Sequence, residues 1–169
     1  MTTTTRERLV KWLEHAYAME KEAETMLTVQ VNRLTHYPVL SQRIHEHVTE
    51  TRQQADALAQ CLERHDASRP VMMGALASTM AAVHAVENAV MSDEVIKAVV
   101  TSYAFENMEV AVYKALVLAA RRAGDTETVA VCTAILEQEQ AMADWLLEHL
   151  EPTVQQFLER EQADAPAKR

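Results

Sequence analysis

Four glutamates, Glu20, Glu50, Glu106 and Glu139, fall where an amphipathic helix would ordinarily carry apolar side chains. They form two similarly spaced pairs, 30 residues apart in the first half of the chain and 33 in the second. At helical spacing Glu106 is surrounded by Val99, Tyr103, Val110 and Tyr113, so a carboxylate stands in the middle of an apolar stripe. Glu20 lies among Leu13, Ala16, Ala23 and Leu27, and Glu139 among Cys132, Ile135, Leu136, Met142, Ala143 and Leu146. Glu50 is less central. The stripe around it is carried by Leu40, Ile44, His47, Thr51, Leu58 and Leu62, and Glu50 sits on its flank beside His47 and Gln54. Glu109, one turn after Glu106, also borders a core-facing stripe.

Burying an unpaired carboxylate costs several kcal/mol, so such groups are kept neutral, paired or bound to a cation. Four facing one interior suggest a metal site. Carboxylates with an occasional imidazole are hard ligands suited to iron or manganese. Di-metal helical bundles use one Glu from each of two helices and Glu-x-x-His from each of the other two. Here the glutamates fit, but Gln53 and Met142 stand where those histidines would be. The well-placed imidazole is His47, one turn before Glu50, and Glu109 could add a carboxylate. Against this stands the simpler possibility that a glutamate on a helix is solvated or paired with a core Arg or Tyr.

The elements that must position these residues are helices. Only two glycines and four prolines occur in 169 residues, and hydrophobic residues make up 49%, which leaves little turn chemistry for hairpins. One domain over residues 1–161 and a polar, disordered tail over 162–169 are expected. Helix 1 is predicted over residues 5–34, with Thr4 and Glu7 as a capping box, and Tyr37-Pro38 breaks it. Helix 2 follows over 39–65, then a turn ending at Pro70. A small-residue crossover helix over 71–91 leads to helix 3, capped by Ser92 and ending at Gly124. Asp125 caps helix 4, which is expected to stop near Leu150, before Pro152. A short final helix over 153–161 completes an all-α, ferritin-like, antiparallel four-helix bundle with a crossover.

The other chemistry-bearing residues carry bland expectations. His15, His36, His45, His65 and His149 read as surface or flank residues, and His84 has no evident partner. Met72, Met73 and the other methionines read as core filling. Tyr103 and Tyr113 read as core residues whose hydroxyls need partners, with Tyr103 near enough to reach Glu106. Cys61 and Cys132 have no metal-like spacing and read as buried free thiols.

A net charge of −9 argues against nucleic acid and anionic membrane partners. No apolar run approaches the ~18 residues of a membrane span. The polar residues 1–5 and charged Arg6, Glu7 and Arg8 do not resemble a signal peptide. A cytoplasmic location is therefore expected. Trp12, Met19, Phe157 and Leu158 look like apolar surface left over from a four-helix core, the mark of a homodimer.

Several stretches together resemble the YciE/YciF family of bacterial stress-associated proteins, most closely its YciE branch. They are His15-Ala-Tyr-Ala-Met-Glu-Lys21, His47-Val-Thr-Glu-Thr51, Phe105-Glu-Asn-Met-Glu-Val110 and Met142-Ala-Asp-Trp-Leu146, with Ser92-Asp-Glu and Ala123-Gly-Asp-Thr126 between them. The resemblance implies a ferritin-like fold, a dimer, a di-metal site and no agreed enzymatic activity. It carries ligand positions over to Glu20, His47, Glu50, Glu106, Glu109 and Glu139. The chain departs at Gln54, where many relatives have His, and at Ala143, where the YciF branch has Asp.

The leading expectation is thus a carboxylate-bridged protein holding two Fe or Mn ions per chain and handling peroxide or metal during stress. In that reading Glu50 and Glu139 bridge the ions, Glu20 and Glu106 each cap one, and His47 donates one nitrogen. The alternative is a metal-free helical dimer with a structural or interaction role. Storage in a ferritin-like shell is a weaker third, since no surface for a cage channel is evident.

Overall fold

A computed structural model describes residues 4–70 and 92–168. Among the described residues four helices run α1 (Thr5–Val31), α2 (Pro38–Arg64), α3 (Glu94–Ala123) and α4 (Thr126–Gln162). The expected crossover over 71–91, with His84, Met72 and Met73, lies outside the described residues.

Local signals explain most helix ends. Thr4 Oγ1 accepts from the Glu7 amide at 3.2 Å while Glu7 Oε2 accepts from the Thr4 amide at 2.7 Å, completing the capping box. Pro38 occupies the first position of α2, where its missing N–H is no loss. Gly124, at φ 74°, turns the chain out of α3, a conformation that costs glycine little. Asp125 Oδ1 then accepts from the Thr128 amide at 3.0 Å. At the start of α3 the cap position belongs to Asp93 rather than Ser92. The Asp93 carboxylate is engaged by Lys97 at 2.8 Å instead of by the backbone.

Two expectations at the C-terminus fail. Helix α4 passes straight through Pro152 to Gln162, so no separate short helix exists. Proline deprives Glu148 of its usual amide donor. The flanking turns hold regardless: Thr153 Oγ1 donates to the His149 carbonyl at 2.6 Å, and Thr153 and Phe157 are buried beyond the proline. The tail is docked rather than disordered. Tyr37 donates its hydroxyl to the Ala167 carbonyl, Val95 N donates to the Lys168 carbonyl at 3.1 Å, and Ala167 is buried.

The chain packs as two hairpins, α1 with α2 and α3 with α4. Across the bundle α1 meets α3 more closely than α2 meets α4. One apolar cluster gathers Leu9, Leu13, Leu58, Leu62, Leu116 and Ile135. The other gathers Leu27, Leu40, Ile44, Val99, Met142 and Leu146. Between them lies a polar layer.

Candidate metal centre

Each helix contributes to that layer. Glu20 comes from α1, His47, Thr51 and Gln54 from α2, Glu106 and Glu109 from α3, and Glu139 from α4, all at most 2% exposed. The 3–4-residue spacing within α2 and α3 puts their contributions on one face. The apolar clusters on either side remove water from it.

His47 is the hub. Its Nε2 lies 3.1 Å from Glu106 Oε2 and 3.5 Å from Glu139 Oε2, and its Nδ1 lies 2.7 Å from Glu50 Oε2. One ligand atom from each of His47, Glu106 and Glu139 fits within 4.8 Å of the others. The structure brings these three together as expected. Glu50 differs from its expected bridging place. Its side chain is 32% exposed, and Arg43 grips Oε2 with both terminal nitrogens at 3.2 Å. Glu50 therefore faces the outer nitrogen of the imidazole, because its helical phase turns it to the bundle flank.

Glu20 accepts a hydrogen bond from the Tyr113 hydroxyl. The phenol serving the site is thus Tyr113. Tyr103 is half-buried and packs against the second apolar cluster. Glu139 Oε1 accepts from Gln54 Nε2, which also reaches Gln138 Oε1 at 3.1 Å. The apolar pattern leaves Gln54 beside the stripe of α2, and the family resemblance marks it as a position where many relatives have His.

The charges follow from these contacts. Burial lifts the Glu20 carboxyl to about 7 against the opposing pull of the Tyr113 hydrogen bond. Burial and the neighbouring Glu106 lift Glu139 to about 9. Glu109 is raised well above the carboxylate range by burial and by the charges of Glu20, Glu139 and Glu106. Burial alone would lower His47, but its bonds to Glu106 and Glu50 outweigh that and push it to about 10. Glu50 is lowered by His47 and Arg43. Burial, with Glu20 beside it, holds the Tyr113 phenol well above its ordinary value.

Glu109 Oε1 and Gln54 Oε1 are buried without a hydrogen-bond partner, and Glu139 Oε2 has only the His47 imidazole, 3.5 Å away. An unsatisfied buried acceptor costs about 1–3 kcal/mol. Carboxylate and amide oxygens crowded around one imidazole, with protons in place of full pairing, are a ligand set a divalent cation would satisfy once those protons leave. The residues present fit a metal.

The remaining expectations sort simply. Cys61 and Cys132 are buried and free, and burial raises the Cys132 thiol to about 12. His65 is more engaged than a surface residue, with Nε2 2.7 Å from Asp125 Oδ2 and Nδ1 accepting from Arg6 Nε at 3.3 Å. His149 stacks on Trp145 at 3.8 Å. Among the described residues no helix is long and apolar enough to cross a membrane.

Solved structures share this architecture. A protein from Xanthomonas campestris pv. campestris is 52% identical, with a TM-score of 0.85, over 94% of this chain and 99% of its own. The Escherichia coli stress protein YciF superposes with a TM-score of 0.79 at 21% identity, over 91% of this chain and 99% of its own. YcfI from Rhodopseudomonas palustris gives 0.74 at 23% identity, over 85% and 92%. At such identities the last two speak for the shared ferritin-like bundle, and they do not distinguish a YciE from a YciF branch. The profile of DUF892, a domain of unknown function, matches residues 4–159, and the chain belongs to that family.

Proposed function

We propose that this chain is a ferritin-like protein holding two Fe or Mn ions in its central polar layer and serving in a stress response. The observation that carries the reading is the convergence of His47, Glu106 and Glu139 beside buried oxygens that lack partners. In this reading His47 Nε2, Glu106 and Glu139 are ligands, with Glu20 and Glu109 completing the set. Glu50 accepts from Nδ1–H, which fixes the tautomer and turns Nε2 towards the cation. A bound redox ion would supply one-electron chemistry towards peroxide. The protein's part is to exclude bulk water with the two apolar clusters and, on binding the cation, to give up the protons that burial keeps on Glu139 and Glu109. The stress role is proposed by likeness to YciF, whose structure is described as that of a stress protein.

Elemental analysis after anaerobic reconstitution should find about two Fe or Mn per chain. At a hundredfold excess of metal over Kd the folded state should gain on the order of 3 kcal/mol. Glu106→Gln should lose much of that gain, whereas Glu7→Gln at the first helix cap should keep it. Metal below about a tenth of the expected amount, with no metal effect on wild-type stability, would sink the reading.

One observation favours the metal-free alternative. His47 in its charged form already bonds to Glu50 and Glu106, so the layer can compensate its own charge. In that case Glu106→Gln would strongly destabilise the chelator-treated protein, because it strips a buried imidazolium of its partner.

A further inference from the structure

We propose that a hydrated divalent cation reaches the polar layer through the seam between α2 and α4, and that Gln54 is the gate of this route. The inference rests on the metal-binding reading above.

Among the described residues, the layer is closed along the bundle axis and bonded across on the α1–α3 side. The apolar clusters close it along the bundle axis, and a bare channel through packed leucines would leave a charged ion without polar contacts. On the α1–α3 side the Tyr113 hydroxyl closes over Glu20. The next polar pair there, Ser102 Oγ donating to Gln30 Oε1 at 3.2 Å, lies farther along α1. Gln30 is ten residues beyond Glu20, roughly 15 Å along the helix axis.

The α2–α4 side is different. Among the described helices, these two pack less closely than the other neighbouring pairs. A continuous polar line crosses their seam, from exposed Gln138 through Gln54, only 2% exposed, to fully buried Glu139. One turn before Gln54 on α2, Glu50 presents a partly exposed carboxylate. Among the described residues, two polar links lead from the cluster to the surface: Glu139–Gln54–Gln138, which crosses this seam, and His47–Glu50–Arg43, which runs along α2.

The Gln54 amide suits a gate. Its Nε2 latches Glu139 and Gln138, while its Oε1 is buried without a partner. Rotation of the amide therefore breaks no bond at oxygen, and it presents a neutral oxygen to a passing cation. A neutral ligand holds a hard cation weakly enough to release it to the carboxylates beyond.

The test uses Co(II) as the probe, its uptake by full-length metal-free protein followed by stopped-flow absorbance and its affinity by equilibrium titration. Gln138→Trp, which fills the outer end of the seam from an exposed position, should slow uptake about tenfold and leave the affinity unchanged. Gln54→Ala should speed uptake by about the same factor, since the latch is gone. Val100→Trp, at an exposed position of α3, should leave the rate at the wild-type value. Should Gln54→Ala fail to fold, Gln138→Trp decides alone. Uptake within about twofold of wild type in the seam variants, with equilibrium binding intact, overturns the route and leaves the metal site standing. Wild-type protein that binds no Co(II) overturns both.

Discussion

Tyr113 on α3 donates its hydroxyl to Glu20 on α1, and both side chains are essentially without solvent. The bond ties together helices from different hairpins at the level of the polar layer. It also opposes the desolvation that raises Glu20 to about 7. Tyr113→Phe keeps the ring packed among Leu13, Leu116 and their neighbours but removes the donor. We predict a loss of about 1–3 kcal/mol in the metal-free protein by urea denaturation. A Glu20 titration midpoint above that of wild type should accompany it by carbon-13 NMR.

Metal-free protein should lose stability as pH rises from mildly acid to alkaline. His47 is raised in the fold to about 10, so its contribution is full below its unfolded value of ~6.5 and is lost as pH climbs through 10. Glu139 is raised to about 9; its neutral form is favoured in the fold, so its contribution fades between ~4.3 and 9. Glu50 is lowered and acts oppositely, with stability present above the unfolded carboxylate value and lost as pH falls through its folded value. Urea midpoints should therefore be higher near pH 5.5 than near pH 9. In Glu139→Gln that decline should be shallower, and an unchanged slope would count against these assignments.

Helix α4 carries Pro152 in its interior at an exposed position. Because the helix continues through it, the ring and the missing N–H cost stability without terminating anything. Pro152→Ala should raise stability by about 1–3 kcal/mol in thermal or urea unfolding. A destabilised variant would show that the proline sets a bend on which Phe157 packing depends.

The docked tail makes a parallel prediction. Tyr37→Phe removes a buried hydroxyl whose partner is the Ala167 carbonyl and should cost about 1 kcal/mol. Amide exchange should speed at Val95, whose N–H bonds the same strap. Exchange as slow as in wild type would mean that the strap is held by other contacts.

We propose a homodimer, and the outward apolar side chains now differ from the expected set. Phe157 is buried in its own chain, whereas Trp12 is 38% exposed and Leu118 on α3 is 59% exposed. Trp12, Leu118, Arg8 and Arg122 line one groove between α1 and α3. Light scattering should report twice the 19.0 kDa chain mass, and Leu118→Glu should shift the protein towards monomer. A wild-type mass of one chain at all concentrations would end the proposal.

The sequence by itself determined the helices and most of their ends, because caps, glycine and helix-opening proline act over three or four residues. It also determined that Glu20, Glu106 and Glu139 are buried, since each sits at the centre of an apolar period. It misjudged Pro152 and the tail, where distant packing at Phe157 and Ala167 overrides a local signal. Only the tertiary structure decided which buried groups meet. Phase around one helix places Glu50 on the flank but cannot show that Arg43 and the outer nitrogen of His47 capture it. Nor can it show that Tyr113 rather than Tyr103 reaches a carboxylate, or that Gln54 spans the seam to Glu139. Those relationships depend on the rotation and offset of one helix against another, which hydrophobic packing fixes only when all four helices are assembled.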